Sequence, residues 1–305
     1  MEELFVSELS VKYIFGALAV SDLTFSTKKG ILCVFGENES GKTSLLKTLA
    51  GLVRPVSGTI RYDDTVMNDF SPERRNVVLL YEDGGFFENR TAEYNLRYPL
   101  KVRKIPEERW EPIVRTATER VGFEPVFLRE RVKKLPQRQR ILLSYARAYT
   151  RNADLYLVDD ALKTAEDREE TFSIVKPFLE EFAQDAVVLY ATDRVEECEA
   201  LGGKILFLHY GIPMFFGTVD EIRKEPPDLT AVEKFCPEAE TESTVLQGDG
   251  ERFVFRAFGE DHSYEKRALL SDVFLGKTVV AVRMNGTILL YDLKSERRIF
   301  FLTDR

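Results

Sequence analysis

Cysteine, histidine and tryptophan are scarce: three, two and one in 305 residues. Cys33, Cys198 and Cys236 are far apart in the chain and odd in number, and no pair has the spacing of a metal site. This excludes a disulfide framework and points to free thiols in a reducing compartment. No apolar run approaches the roughly 18 residues of a membrane-spanning helix. The opening Met1-Glu2-Glu3-Leu4 lacks the basic-then-apolar pattern of a leader, so any membrane role is expected to come through a partner. A surplus of positive charge is also missing. The net charge is −8 with both signs interspersed, which argues against nucleic acid as the main partner. No repeat or low-complexity segment stands out. The composition, 44% hydrophobic and 31% charged, is that of a globular protein with room for one large domain and one small.

What is present is organised around Gly36-Glu37-Asn38-Glu39-Ser40-Gly41-Lys42-Thr43. It follows the apolar run Ile31–Phe35, expected to be a buried strand. It precedes Ser44–Ala50, which has helical spacing and ends at Gly51. Strand, G-x-x-x-x-G-K-T and helix make a phosphate-binding P-loop. Gly36 and Gly41 let the backbone curl so that its N–H groups, with those of Asn38, Ser40 and Ser44, point at phosphates beside a helix N-terminus. Lys42 reaches the β- and γ-phosphates, and the Thr43 hydroxyl holds Mg²⁺. Such a site also needs a carboxylate at the end of a neighbouring strand. Asp159, closing Leu155–Val158, is the candidate, with Asp160 beside it. Tyr13 and Phe15 are both available to stack on the base, with Tyr13 preferred; packing is the alternative for each.

Strands are expected at Leu4–Leu9, Val20–Phe25, Gly58–Tyr62, Val77–Tyr81, Val187–Ala191, Lys204–Leu208 and Ile212–Phe216. Helices are expected over Glu166–Phe182 and Asp193–Leu201. A helical insertion occupies about 91–151; within it Ile113, Ala117 and Val121 share a helix face. Alternating strands and helices around a P-loop give an α/β fold with a largely parallel sheet. A composition change near Pro226-Pro227 separates residues 1–225 from a small β-rich module, 226–305. There Asn285-Gly286 marks a hairpin. Trp110 is expected to pack rather than bind. Phe86 and Phe87 either line a partner groove or bury surface.

Residues 1 to about 225 resemble the nucleotide-binding subunit of ABC transporters, closest to the carbohydrate and glycerol-phosphate importer branch. The resemblance rests on Gly36–Gly58, on Tyr81-Glu82-Asp83 through Thr91, Asn95 and Pro99–Lys101, and on Gly217–Ile222. The ending Leu290–Lys294 is similar to the close of that branch's C-terminal regulatory domain, here shortened. The resemblance implies an ABC-type P-loop ATPase fold with a helical subdomain, ATP and Mg²⁺ as ligands, and membrane permease subunits as partners. It implies a place on the inner face of the cell membrane. It also implies head-to-tail pairing of two such subunits over two ATP molecules.

Several positions depart from the family pattern. The signature L-S-G-G-Q is Leu135-Pro136-Gln137-Arg138-Gln139. The catalytic glutamate is Asp160, the coupling-loop glutamine is Glu82, the switch histidine is Asp193 and the D-loop aspartate is Glu166. Pro136 lacks both a hydroxyl and an N–H. Gln137 and Arg138 put side chains where glycines allow backbone contact, and Arg138 either contacts phosphate or decorates a solvated helix start. Asp160 falls short of glutamate by about one C–C bond, ~1.5 Å. Glu82 and Asp193 bring negative charge toward the γ-phosphate. The leading expectation is a subunit that binds ATP and hydrolyses it weakly or not at all, paired with a catalytic paralogue. The alternatives are an active homodimer using Asp160 as base, and a nucleotide-responsive module outside transport. A P-loop kinase fits the order of segments less well.

Overall fold

The computed structural model describes residues 1–12, 16, 18–81, 83–162, 165–248, 252–265, 274, 276–284 and 287–303. It divides into two compact units, Met1–Phe216 and Gly217–Arg305, so the compositional boundary expected at 225 falls inside the second.

The first unit opens with β1 (Glu3–Lys12), β2 (Leu18–Lys28), β3 (Gly30–Phe35), α1 (Lys42–Leu49), β4 (Ser57–Tyr62), β5 (Thr65–Val66) and β6 (Val77–Tyr81). Then come α2 (Ala92–Val102), α3 (Trp110–Val121), α4 (Gln137–Tyr149), β7 (Leu155–Asp159), α5 (Arg168–Asp185), β8 (Val187–Thr192), α6 (Val195–Leu201), β9 (Lys204–His209) and β10 (Ile212–Thr218). One sheet runs β2-β1-β4-β5, with β1 antiparallel to both neighbours. The other runs β10-β9-β3-β8-β7-β6, and its β9-β3-β8-β7-β6 stretch is parallel throughout.

Strands β7 and β8 are buried along their whole length, which is why they read as continuous apolar runs rather than alternating ones. Leu45, Leu46 and Leu49 of α1 join residues of both sheets in one core. Apolar side chains thus seat the P-loop helix, whose N-terminus follows the C-terminal end of the interior strand β3. The parallel order puts the C-terminal ends of β3, β7 and β8 side by side, where α/β sheets bind ligands.

In α3 the helical phase differs slightly from expectation. Val114, Ala117, Thr118 and Val121 are buried, whereas Ile113 is half-buried. The four-residue spacing found the stripe, but its centre lies one position on. Trp110 opens this helix and donates its indole N–H to the Ile105 carbonyl at 2.8 Å, a packing role as expected. Cys33 and Cys198, distant in sequence, are buried and within hydrogen-bonding contact as thiols. Among the described residues no helix is long and apolar enough to cross a membrane.

The second unit holds α7 (Val219–Lys224) and α8 (Leu229–Phe235). Its strands are β11 (Glu240–Val245), β12 (Gln247–Gly248), β13 (Arg252–Ala257), β14 (Glu260–Glu265), β15 (Thr278–Met284), β16 (Thr287–Asp292) and β17 (Arg298–Thr303). They form a β11-β15-β16-β17 sheet and a β12-β13-β14 sheet. Leu246, Phe253, Phe255, Val279 and Leu290 are buried together in this unit. The Asn285-Gly286 turn lies outside the described residues, but Met284 and Thr287 pair on either side of it.

Candidate functional site

The P-loop connects β3 to α1. Its glycines are required by what lies behind the loop as well as by its curl. A Cβ on Gly36 would sit 2.5 Å from the Leu208 carbonyl oxygen. At Gly41, φ is +99° and a Cβ would sit 2.3 Å from the Ala19 carbonyl oxygen. Two further bonds fasten the loop: Gly36 N–H donates to the Thr192 carbonyl and Gly211 N–H to the Ser40 carbonyl. Glu37, Asn38 and Glu39 form the exposed crest. Ser44 is buried in the first turn of α1. The Ser40 hydroxyl oxygen is buried with no hydrogen-bond partner among the described residues.

Lys42 is 4% exposed. Its ammonium donates to the Gly36 carbonyl at 2.7 Å and the Glu37 carbonyl at 3.0 Å, and Asp160 stands 3.7 Å away. The Thr43 hydroxyl donates to Asp159 Oδ1 at 2.8 Å, joining residues 116 positions apart. A hydroxyl and one buried carboxylate are the hard oxygen donors that suit Mg²⁺, an ion usually held by one or two carboxylates plus substrate phosphates. The residues present therefore fit Mg²⁺ with a nucleotide. When bound, the ion neutralises charge on the β- and γ-phosphate oxygens.

Asp160 differs from its sequence reading. It adopts φ of 44°, a left-handed conformation uncommon outside glycine. One carboxylate oxygen faces Lys42, and the other is buried without a hydrogen-bond partner among the described residues. Burial pushes its carboxyl above the usual range; Lys42 opposes this, while Asp193 and Asp159 add to it. Asp193 is likewise no bare charge at the mouth of the site: Arg168 donates to it at 3.0 Å. Sequence reasoning missed Arg168, whose only local signal is a cation at the start of a helix, where the dipole disfavours one.

The signature-like residues diverge. Leu135 is buried, and Pro136 caps α4 without a side-chain bond. Gln139 turns inward to Glu124, from whose N–H it accepts and to whose carboxylate it donates. Gln137 accepts from the Glu166 N–H at 3.3 Å, while Arg138 is exposed. Gln137 and Arg138 are the first two residues of α4 and do not turn inward to Glu124 as Gln139 does. Tyr13 and Glu82, the candidate base platform and coupling residue, lie outside the described residues, as does Phe15.

A second feature is a groove of about 460 Å³ between β6 and the helices α2 and α4, with Leu79, Phe87, Tyr98 and Val102 on its apolar side. Phe87, Tyr94 and Tyr98 pack edge to face or tilted, yet each is more than a third exposed. Arg147 lines the same groove and donates to the carbonyls of Gly84 and Gly85. Its burial lowers the guanidinium to about 10, with Asp83 opposing. Arg103 and Arg151 complete a basic edge, and the Arg151 Nε is buried without a hydrogen-bond partner among the described residues.

Residues 20–163, which carry the P-loop, the groove and Asp159, match the family described as ABC transporter. Over these residues the chain is an ABC transporter ATP-binding domain. The chain is similar to the sn-glycerol-3-phosphate import ATP-binding protein UgpC of Psychromonas ingrahamii, 27% identical over 232 residues, or 75% of this chain and 61% of that protein. It is also similar to the molybdate/tungstate import ATP-binding protein WtpC of Thermococcus kodakarensis, 28% identical over 78% of this chain and 71% of that protein. The match thus spans less than two thirds of the UgpC relative's length. Among solved structures, the ADP- and Pi-bound dimer of the ATP-binding cassette MJ0796 superposes with a TM-score of 0.62 at 19% identity, covering 70% of this chain and 98% of that one. That likeness concerns the fold. In this ATP-binding domain the Thr43 hydroxyl, in the first turn of α1, bonds Asp159 at the end of β7.

Proposed function

We propose that this protein is the ATP-binding subunit of an ABC importer, of the carbohydrate and glycerol-phosphate type, with impaired hydrolysis. The similarity to UgpC supports the solute class, and the P-loop supports ATP with Mg²⁺. Lys42 and Ser40 would hold the phosphates, and Thr43 and Asp159 the ion. The observation that carries impaired hydrolysis is the placement of Asp160. Its carboxylate is turned onto Lys42, and a general base must instead reach the attacking water within hydrogen-bond distance. A misplacement of about 1 Å can cost roughly 100-fold in rate.

Phosphate release by the purified protein should therefore sit at background, and Asp160→Asn should leave it there. Steady-state phosphate release on both proteins, with Lys42→Ala as the blank, is the check. Turnover that Asp160→Asn removes would restore the active homodimer.

The groove supports a permease as partner, which would place the protein on the inner face of the cell membrane. Its apolar floor suits a short helix, and its basic edge suits an acidic residue on it. Turnover in the assembly would fall to a second, catalytic ABC ATPase. Arg103→Glu should abolish co-purification with the permease while ATP affinity stays within about twofold, since Arg103 is exposed. Recovery of an intact assembly would overturn the assignment of this groove.

A further inference from the structure

Arg168 is the first residue of α5, and its side chain lies across the end of β8. Nε and Nη2 donate to the Glu197 carboxylate at 2.6 and 3.0 Å, and Nη2 also donates to the Thr192 hydroxyl at 2.9 Å. Glu197 is itself buried and accepts from the Tyr190 hydroxyl at 2.9 Å and the Thr192 hydroxyl at 2.5 Å. This buried carboxylate thus fixes the base of the guanidinium from several sides. Nη1 alone points the other way, to Asp193 Oδ1 at 3.0 Å.

One guanidinium here serves two carboxylates. Glu197 balances its charge within the core, so Asp193, 40% exposed, is the surplus anion. Asp193 directly follows Thr192, whose carbonyl accepts from Gly36 N–H at the start of the P-loop. Arg168 and Asp193 both act on the Asp160 carboxylate, which faces Lys42. The pair therefore stands at the phosphate end of the loop. A terminal phosphate offers more charge to that one N–H than a half-exposed aspartate does.

Resting on the nucleotide-binding reading above, we propose that Arg168 is a ligand of the ATP γ-phosphate and that Asp193 occupies its Nη1 until nucleotide arrives. Binding exchanges one charge-assisted hydrogen bond for another, with Glu197 holding the guanidinium in place throughout. Arg168 then distinguishes ATP from ADP, because ADP brings no oxygen to that point. Asp193 acts as an internal competitor that lowers ATP affinity.

The test is the ratio of ATP to ADP dissociation constants, by calorimetry with Mg²⁺, in wild type, Asp193→Asn and Arg168→Lys. Asp193→Asn should tighten ATP by about tenfold and leave ADP unchanged. Arg168→Lys keeps a cation against Glu197 but loses the fork, and should bring the two constants together. If Arg168→Lys does not fold, Asp193→Asn alone decides. A wild type that binds both nucleotides, with a ratio that Asp193→Asn does not move, overturns this inference and leaves the nucleotide reading standing. A wild type that binds neither overturns both.

Discussion

Lys42→Ala should weaken Mg-ATP binding by about 100-fold, the loss of close to 3 kcal/mol that follows removal of one partner from a desolvated charge contact. Lys42 is almost fully enclosed, and two loop carbonyls and Asp160 already aim it along the loop. It enters the phosphate contact with little conformational freedom left to lose, so the whole electrostatic gain goes to binding. The fold should survive the change, because the Gly36–Thr192 and Ser40–Gly211 backbone bonds fasten the loop independently of the side chain. Thermal denaturation separates the two effects. Ligand at about 100 times Kd stabilises a native protein by roughly 2.7 kcal/mol. The wild type should show that shift with Mg-ATP, and Lys42→Ala should lose most of it with its ligand-free melting temperature little changed. An unaltered shift would mean that the phosphates are held elsewhere.

The P-loop was legible because its chemistry is local. Two glycines, a lysine and a threonine within eight positions are enough, and the flanking strand and helix can be read from apolar spacing. Asp159 was legible because a strand of continuous apolar residues ends on it. The groups around that core were not, because each depends on a partner far along the chain. Asp160 looks like a shortened base in sequence; only its approach to Lys42, far back along the chain, shows it turned elsewhere. Asp193 looks like a second unbalanced acid until α5 brings Arg168 against it. Gln139 looks like part of a nucleotide-facing signature until Glu124 draws it inward. The slip from Ile113 to Val114 in α3 has another cause: four-residue spacing drifts around a helix of 3.6 residues per turn, so it fixes a stripe but not its centre.

Arg75 had no local signal in the sequence at all. It is 2% exposed and faces no carboxylate in its hydrogen-bond set. Nη1 donates to the Thr48 and Leu49 carbonyls at 2.9 and 2.8 Å, Nη2 to Met67 at 2.7 Å and Nε to Phe70 at 3.1 Å. The first two are end carbonyls of α1, which have no partner within the helix, and a cation there also complements the helix dipole. Gly51, at φ +81°, makes the room: a Cβ on it would sit 2.8 Å from Arg75 Nε.

Arg75→Ala would take the charged donor from three buried carbonyls, those of Thr48, Leu49 and Met67, and should cost about 3 kcal/mol, lowering the melting temperature by about 10 °C. Arg75→Lys should recover less than half of that, since a point charge cannot serve donors spread over a fork. The consequence for binding is smaller and more informative. Arg75 ties the far end of the P-loop helix to the chain around Pro72 and Glu73, which with Ala50 and Leu52 forms one side of the groove. The near end of the helix is held separately, through Thr43 and Asp159. If the two ends are independent, Arg75→Ala should leave Mg-ATP affinity within about threefold of wild type at temperatures where the protein is folded, as distant sites act additively. An affinity loss approaching that of Lys42→Ala would instead mean that α1 shifts as one body. The nucleotide site and the groove would then be two ends of a single mechanical element.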